Sequence, residues 1–419
     1  MEVKTLDIAS PTVVTTAKRD STRSRAQMDA LRFGSIALIM LHHFYHIQRP
    51  VGTIGTHFFF ALTGFLVANS LMKLREQVLA GETSPLQAGA TFVFRRWMRV
   101  LPTMWIMLAM CYALNMTFIR DTIQWHALLL SNLYISATSH YPPYVAHLWW
   151  ISAMEQTLPF IILLFMFTPK HRMQLVLACV ILIGPIFRFI AFWQHWDYIS
   201  TRVLPPAFID IVGMGCLLAV AMKHKNERLI QTLRKAGWFI GVPAMFFAIA
   251  MIKYTRNDIW KNFVFDLGST WAACAAIIAT YRGIERKADR HYTGWAPLAA
   301  IRNALFRLYN NVRTFIGDVL STKASNFLGN ISYGMAMWHL FAMAIMQKVF
   351  KGAHPHWRSV GSFWIAFALA ILTYYLVERP ISRMREARKV PSLPKVPKVV
   401  RPLKNAMVMS DMEDVELAK

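Results

Sequence analysis

The first apolar stretch of the chain, Leu31 to His46, carries four basic side chains: Arg32, His42, His43 and His46. Arg32 and His43 are 11 positions apart. At about 100° per residue this is three helical turns plus about 20°, so both project from one face. His43 lies about 16 Å farther along the axis. Ser35 and His46 fall near the same stripe. A neutral imidazole at that depth is a general base for a hydroxyl. It is equally a group that hydrogen-bonds one helix to the next, and this helix alone leaves both readings open. A second cluster, Phe94-Arg95-Arg96-Trp97-Met98-Arg99, opens another apolar segment. Arg96 and Arg99 are i,i+3 and share a face. Grouped guanidinium forks suit a polyanion such as a nucleotide diphosphate. They also suit lipid headgroups, to which long basic side chains snorkel. Glu155 and His339 stand inside further apolar runs, where an ionisable group needs a partner, a proton or a role.

Composition says what must position these residues. Of 419 residues, 55% are apolar and 16% charged, and the mean hydropathy is +0.35. A soluble domain carries about 25% charged residues and needs them to cover its core. Disorder and a disulfide scaffold are excluded on the same grounds. The chain is expected to be an all-α integral membrane protein with about ten transmembrane helices, near residues 31–47, 54–73, 100–119, 147–168, 173–193, 206–222, 237–252, 264–281, 327–347 and 361–378. Residues 124–136 read as a short interfacial or re-entrant piece. The net charge of +24 then belongs to cytoplasmic loops rather than to nucleic-acid binding. With ten spans, 35 of the 46 Lys and Arg fall on the side that holds both termini and nine on the other. The positive-inside rule makes both termini cytoplasmic.

Three regions are expected: a mobile cytoplasmic tail over 1–28, a transmembrane domain over 29–380, and a basic cytoplasmic tail over 381–419, Pro- and Lys-rich at 390–404. Within the 282–326 loop, Leu298, Ile301, Leu305, Leu308, Val312, Ile316 and Val319 have the spacing of an amphipathic helix on the membrane surface. Cys111, Cys179, Cys216 and Cys274 all lie in apolar stretches and read as small core residues. No metal-ligand spacing occurs among them.

Six motifs in order, from Asp29 to Pro380, resemble membrane acyltransferase family 3, the polytopic O-acyltransferases that decorate cell-surface glycans. Asp29, Leu31-Arg32 and His43 match its first-helix pattern. Phe58-Phe59-Phe60 through Gly64-Phe65-Leu66 is similar to its Phe-rich Ser-Gly-Phe motif, with Thr63 in place of Ser. Arg96-Trp97-Met98-Arg99, with Pro102 and Trp105, resembles its Arg-x-x-Arg motif. Trp149 to Gln156 resembles its Trp-Ser-Leu-x-x-Glu-Glu-Gln motif, from which Trp150 and Met154 depart. Asn330-Ile331-Ser332-Tyr333 with Trp338-His339, and Glu378-Arg379-Pro380, complete the set. His57 stands where many members carry Asp.

The resemblance implies a multi-pass protein of the inner membrane and an acyl-CoA co-substrate, acetyl-CoA by default, on the cytoplasmic side. It implies a carbohydrate or lipid-linked glycan acceptor on the far side. Arg96 and Arg99, with Arg95 and Arg32, are then expected to hold the donor phosphates and His43 to be the base, with Glu155 and His339 as orienting groups or proton carriers. No metal is required. The rival is a proton-coupled transporter of an anionic solute, with His43, Glu155, Asp210 and Asp266 as relay.

Overall fold

The computed structural model describes residues 11–45, 49–116, 119–252, 259–282, 284 and 296–387. Every regular element among them is helical. The apolar segments become α1 (Pro11–Tyr45), α2 (Arg49–Leu79) and α3 (Pro85–Ala113). Two short helices follow, α4 (Ile119–Ala127) and α5 (Ser131–Thr138), then α6 (Trp149–Phe167) and α7 (Met173–Trp193). Next come α8 (Ser200–Val203), α9 (Ile209–Lys223), α10 (Glu227–Ala236), α11 (Val242–Ile252) and α12 (Ile259–Tyr281). The described chain ends with α13 (Ala296–Leu320), α14 (Lys323–Val349), α15 (Pro355–Thr373) and α16 (Arg379–Ala387). Local chemistry sets several starts. Ser84 and Gln87 form a capping box with Pro85 at the first turn of α3, and Thr322 Oγ1 accepts from the Ser325 amide at the start of α14.

Six segments are long and apolar enough to cross a membrane: Pro50–Leu79, Ala146–Phe167, Lys170–Trp193, Glu227–Ala250, Phe263–Tyr281 and Pro355–Met384. The other four expected spans coincide with α1, α3, α9 and α14. Helix α9 is short, at 15 residues, and the other three carry more polar side chains.

Residues 11–28 are not a loose tail. They are the first turns of α1, and Arg23 donates to Asp318 of α13 at 2.8 Å. Gln27 donates to Ser321 Oγ at 3.0 Å and accepts from the Ile284 amide at 2.6 Å. Residues 1–10, His46 and residues 388–419 lie outside the described part. Helix α13 keeps its expected apolar face exposed, from Leu298 to Val319. Residues 124–136 fold as parts of α4 and α5, whose His126, Ser131 and Asn132 are buried. Asn132 and Gln156 of α6 exchange amide hydrogen bonds at 2.9 Å, and Ser152 Oγ accepts from the Ser131 amide at 3.2 Å. Cys111, Cys216 and Cys274 are buried, whereas Cys179 faces outward from α7.

Helices α2 and α9 touch backbone to backbone. A Cβ at Gly64 would overlap the carbonyl oxygen of Val212, and one at Gly215 that of Ala61. This is the close approach that a Thr-Gly surface permits.

The same side of the bundle holds a closed ionic network. Arg188 of α7 forks onto Asp210 of α9 at 2.7 and 3.2 Å. Asp266 of α12 takes Arg202 of α8 at 2.9 Å, Arg188 at 3.8 Å and His57 of α2 at 3.7 Å. The other ring nitrogen of His57 bonds Ser269. Burial of these charges is tolerated because each has a partner.

Candidate functional site

Arginines from several helices converge on a two-lobed basin. The larger lobe, about 1170 Å³, is lined by Arg25 and Arg32 of α1, Lys73 of α2, Arg99 of α3, Arg282, and Arg379 and Arg383 of α16, against the acids Asp29 and Glu378. The smaller, about 700 Å³, shares Arg32, Lys73, Arg99 and Tyr333 with it and adds Arg95 and Arg96. Its remaining walls are mostly apolar, including Phe59, Leu66, Phe92, Trp150 and Ile151. A polyanion with an apolar extension matches this division of charge. A π-helical turn at Tyr374–Glu378 brings Glu378 to the wall, where Thr103 Oγ1 donates to its carboxylate at 3.2 Å. Tyr333 donates to the Val100 carbonyl at 2.6 Å, which locks α14 to α3 beside both lobes.

Two of the expected donor-binding arginines have carboxylate partners. Arg32 pairs with Asp29 at 3.0 Å, one turn earlier on α1. Arg96 Nε pairs with Glu155 at 2.6 Å, and Trp97 Nε1 donates to the second oxygen of that carboxylate at 3.1 Å. This answers the question that Glu155 posed. It is the buried counter-ion of the arginine cluster, at the basin, and the structure does not bring it to His43. Thr63 also lines the smaller lobe.

The histidines gather elsewhere. The His43 ring lies 5.2 Å from that of His339 on α14, centroid to centroid, and 5.0 Å from that of His42. His339 also lies 5.0 Å from His147, which sits in a single 3₁₀ turn, Ala146–Leu148, before α6. His339 and His147 are buried, and His339 Nδ1 donates to the Ala336 carbonyl at 2.8 Å. Ser359 of α15 hydrogen-bonds the Phe44 carbonyl and so ties the end of α1 in place. The sequence reading named His43 and His339 but missed His147, because one short turn has no helical periodicity to place it. It likewise missed Arg25, Lys73, Arg282, Arg379 and Arg383, which only the tertiary fold brings to the basin. None of the three clustered histidines lines either lobe. Arg32 and His43 nevertheless share α1, with Arg32 at the wall common to both lobes.

The family of the acyltransferase domain matches residues 25–377, which takes in the basin from Arg25 to Tyr374 and all three clustered histidines. The chain belongs to acyltransferase family 3. Among curated relatives it is similar to the peptidoglycan O-acetyltransferase OatA of Listeria monocytogenes, 22% identical over 389 residues, 85% of this chain and 55% of the relative. It is similar as well to the putative peptidoglycan O-acetyltransferase YrhL of Bacillus subtilis, 22% identical over 381 residues, 84% of this chain and 54% of the relative. The chain therefore spans about half the length of the curated relatives it matches. No solved structure matches it. With six helices apolar enough to cross a bilayer, this family member is a multi-pass membrane protein.

Proposed function

We propose that this acyltransferase moves an acyl group, acetyl by default, from acyl-CoA to a hydroxyl of a carbohydrate acceptor. The cation-lined basin would hold the phosphates of the donor, and its apolar lobe the pantetheine arm. His43 would take the proton of the attacking hydroxyl. The acceptor class that the relatives' names suggest is peptidoglycan. With ten spans and both termini cytoplasmic, the basin opens to the cytoplasm, where acyl-CoA is supplied, in the inner membrane. The observation that carries this reading is the shared helix: α1 places Arg32 at the basin and His43 three turns deeper among the clustered rings. The rival transporter relay is disfavoured, because Asp210 and Asp266 are closed off by Arg188 and Arg202.

The test is thiol release from acetyl-CoA by the purified full chain in detergent, with soluble peptidoglycan fragments as acceptor. The expected result is acceptor-dependent release of free CoA and ester-linked acetate on the glycan. A chain that neither binds CoA nor releases thiol is not this enzyme.

A further inference from the structure

The rings of His43, His339 and His147 stand in series, with centroid separations of 5.2 and 5.0 Å. The Ala336 carbonyl can only accept, so the His339 nitrogen facing it, Nδ1, carries the hydrogen. Nε2 of His339 is therefore a bare lone pair. It is buried without a hydrogen-bond partner among the described residues, and His147, which lies against the Met337 backbone, makes no well-formed hydrogen bond at either ring nitrogen. A histidine kept only to fill space satisfies its nitrogens or is replaced by an apolar side chain. Two adjacent buried imidazoles with unused nitrogens, beside a third that lies in register with Arg32, do neither. At the 5.2 Å separation, a ring rotation brings a His43 nitrogen to about 3 Å from His339 Nε2, the length of an N–H···N hydrogen bond, while His147 acts on the pair through space. Among the described residues no group of three such side chains is set to hold a metal ion.

We propose that the three rings form one proton-handling unit, in which His339 fixes the tautomer of His43 and His147 shares the positive charge that His43 acquires. The proposal rests on His43 being the base. His339 Nε2 accepts from one nitrogen of His43, and the other nitrogen of His43 takes the acceptor's proton. As the hydroxyl oxygen attacks the thioester carbon, the O–H bond breaks and its proton passes to His43. The new C–O bond forms, and the C–S bond breaks with its electron pair leaving on sulfur. In this apolar setting an isolated imidazolium is poorly solvated, and the neighbouring lone pairs of His339 and His147 take its charge. The proton then returns to the thiolate, giving the free thiol, and the rings end neutral as they began. His339 and His147 are positioning residues, since both act through His43.

The experiment follows thiol release from acetyl-CoA by the full chain in detergent, with peptidoglycan fragments as acceptor. It compares His43→Gln, His339→Gln, His147→Gln and His147→Phe. Both His147 variants are expected to lower kcat about 10- to 100-fold with KM for acetyl-CoA unchanged. The solvent deuterium isotope effect on kcat should grow, and added imidazole should restore part of the rate to His147→Gln. Wild-type kcat in the His147 and His339 variants, beside a silent His43→Gln, overturns the unit and leaves the base reading intact. Wild-type kcat in His43→Gln overturns the base reading itself. Loss of kcat together with thermal stability, with no change in isotope effect and no rescue by imidazole, makes His147 a structural residue and overturns the proposal.

Discussion

The network around Asp266 and the rings around His339 are both buried, and both bring ionisable side chains from several helices together. They differ in how those side chains are paired. In the network, each oxygen of Asp210 and Asp266 has a cationic nitrogen within 3.8 Å, and His57 is held on both sides. Two arginines face two aspartates, so with His57 neutral the charge sums to zero. In the ring cluster, buried nitrogens of His339 and His147 stand without hydrogen bonds among the described residues. A closed set of pairs gives a single stable arrangement and has nothing left to offer a substrate. Unused lone pairs in an apolar surround are costly to keep and remain open to accept a hydrogen bond. On the proposed function, the first cluster is architecture and the second is chemistry.

Substitutions that separate rate from stability would break or sharpen this contrast. The largest effect is expected at His43. Gln there retains size and hydrogen bonding and loses basicity, so transfer should fall 10²- to 10⁴-fold, as is usual when a general base is lost. Thermal unfolding in detergent should be unchanged. Asp266→Ala should do the reverse. It strands Arg202 in a buried site, while Arg188 keeps its fork on Asp210, and removing one partner of a buried pair costs about 3–5 kcal/mol. A lowered unfolding temperature, with activity lost only as folded protein is lost, is the expected outcome. An Asp266→Ala protein that is fully stable but inactive would put the network among the catalytic parts and erase the distinction.

How much of this could be read from residues alone follows the same line. Helix positions were legible because apolar runs of span length are rare outside membranes. The expected span at 173–193 coincides with α7 end to end. Three of the four expected spans that fall short in apolar character, α1, α3 and α14, are the helices that carry Arg32, His43, Arg96, Arg99 and His339. Their polarity is what made the site readable and what weakens them as spans. The partners were not legible. Glu155 showed that it needed a counter-ion, but Arg96 lies on another helix, 59 residues away, and only packing selects it. The N-terminal part of α1 looked like tail because Arg23, Ser24 and Gln27 are polar. Their hydrogen-bond acceptors stand about 260 to 300 positions later in the chain.

A smaller effect than those at His43 and Asp266 is expected at the α2–α9 contact. Gly215→Ala puts a methyl group against the Ala61 carbonyl, and overpacking of this kind costs about 1–3 kcal/mol. Because α2 carries His57 and Phe59 within a turn or so before that contact, stability should fall with little change in KM for acetyl-CoA. A stability equal to wild type would mean that the two helices separate freely, and the network would not depend on their close approach.

The smallest effect divides the arginine cluster by the lobes that each residue lines. Arg99 lines both lobes, whereas Arg96 lines the smaller one with its Nε held by Glu155. Arg99→Ala should therefore raise KM for acetyl-CoA about tenfold, the loss of one charge-assisted contact of about 1.4 kcal/mol, and leave unfolding unchanged. Lys at 99 should restore part of this, since an ammonium keeps the charge without the planar fork. Arg96→Ala should lower stability as well, because the Glu155 side chain is 4% exposed and would be left facing only Trp97. Changing Glu155 to Gln in the same chain should relieve that penalty, since a neutral amide leaves no buried charge unpaired while KM stays raised. If Arg96→Ala and Arg99→Ala behave alike in both measurements, the Glu155 pair carries no structural weight, and Arg96 belongs wholly with the donor.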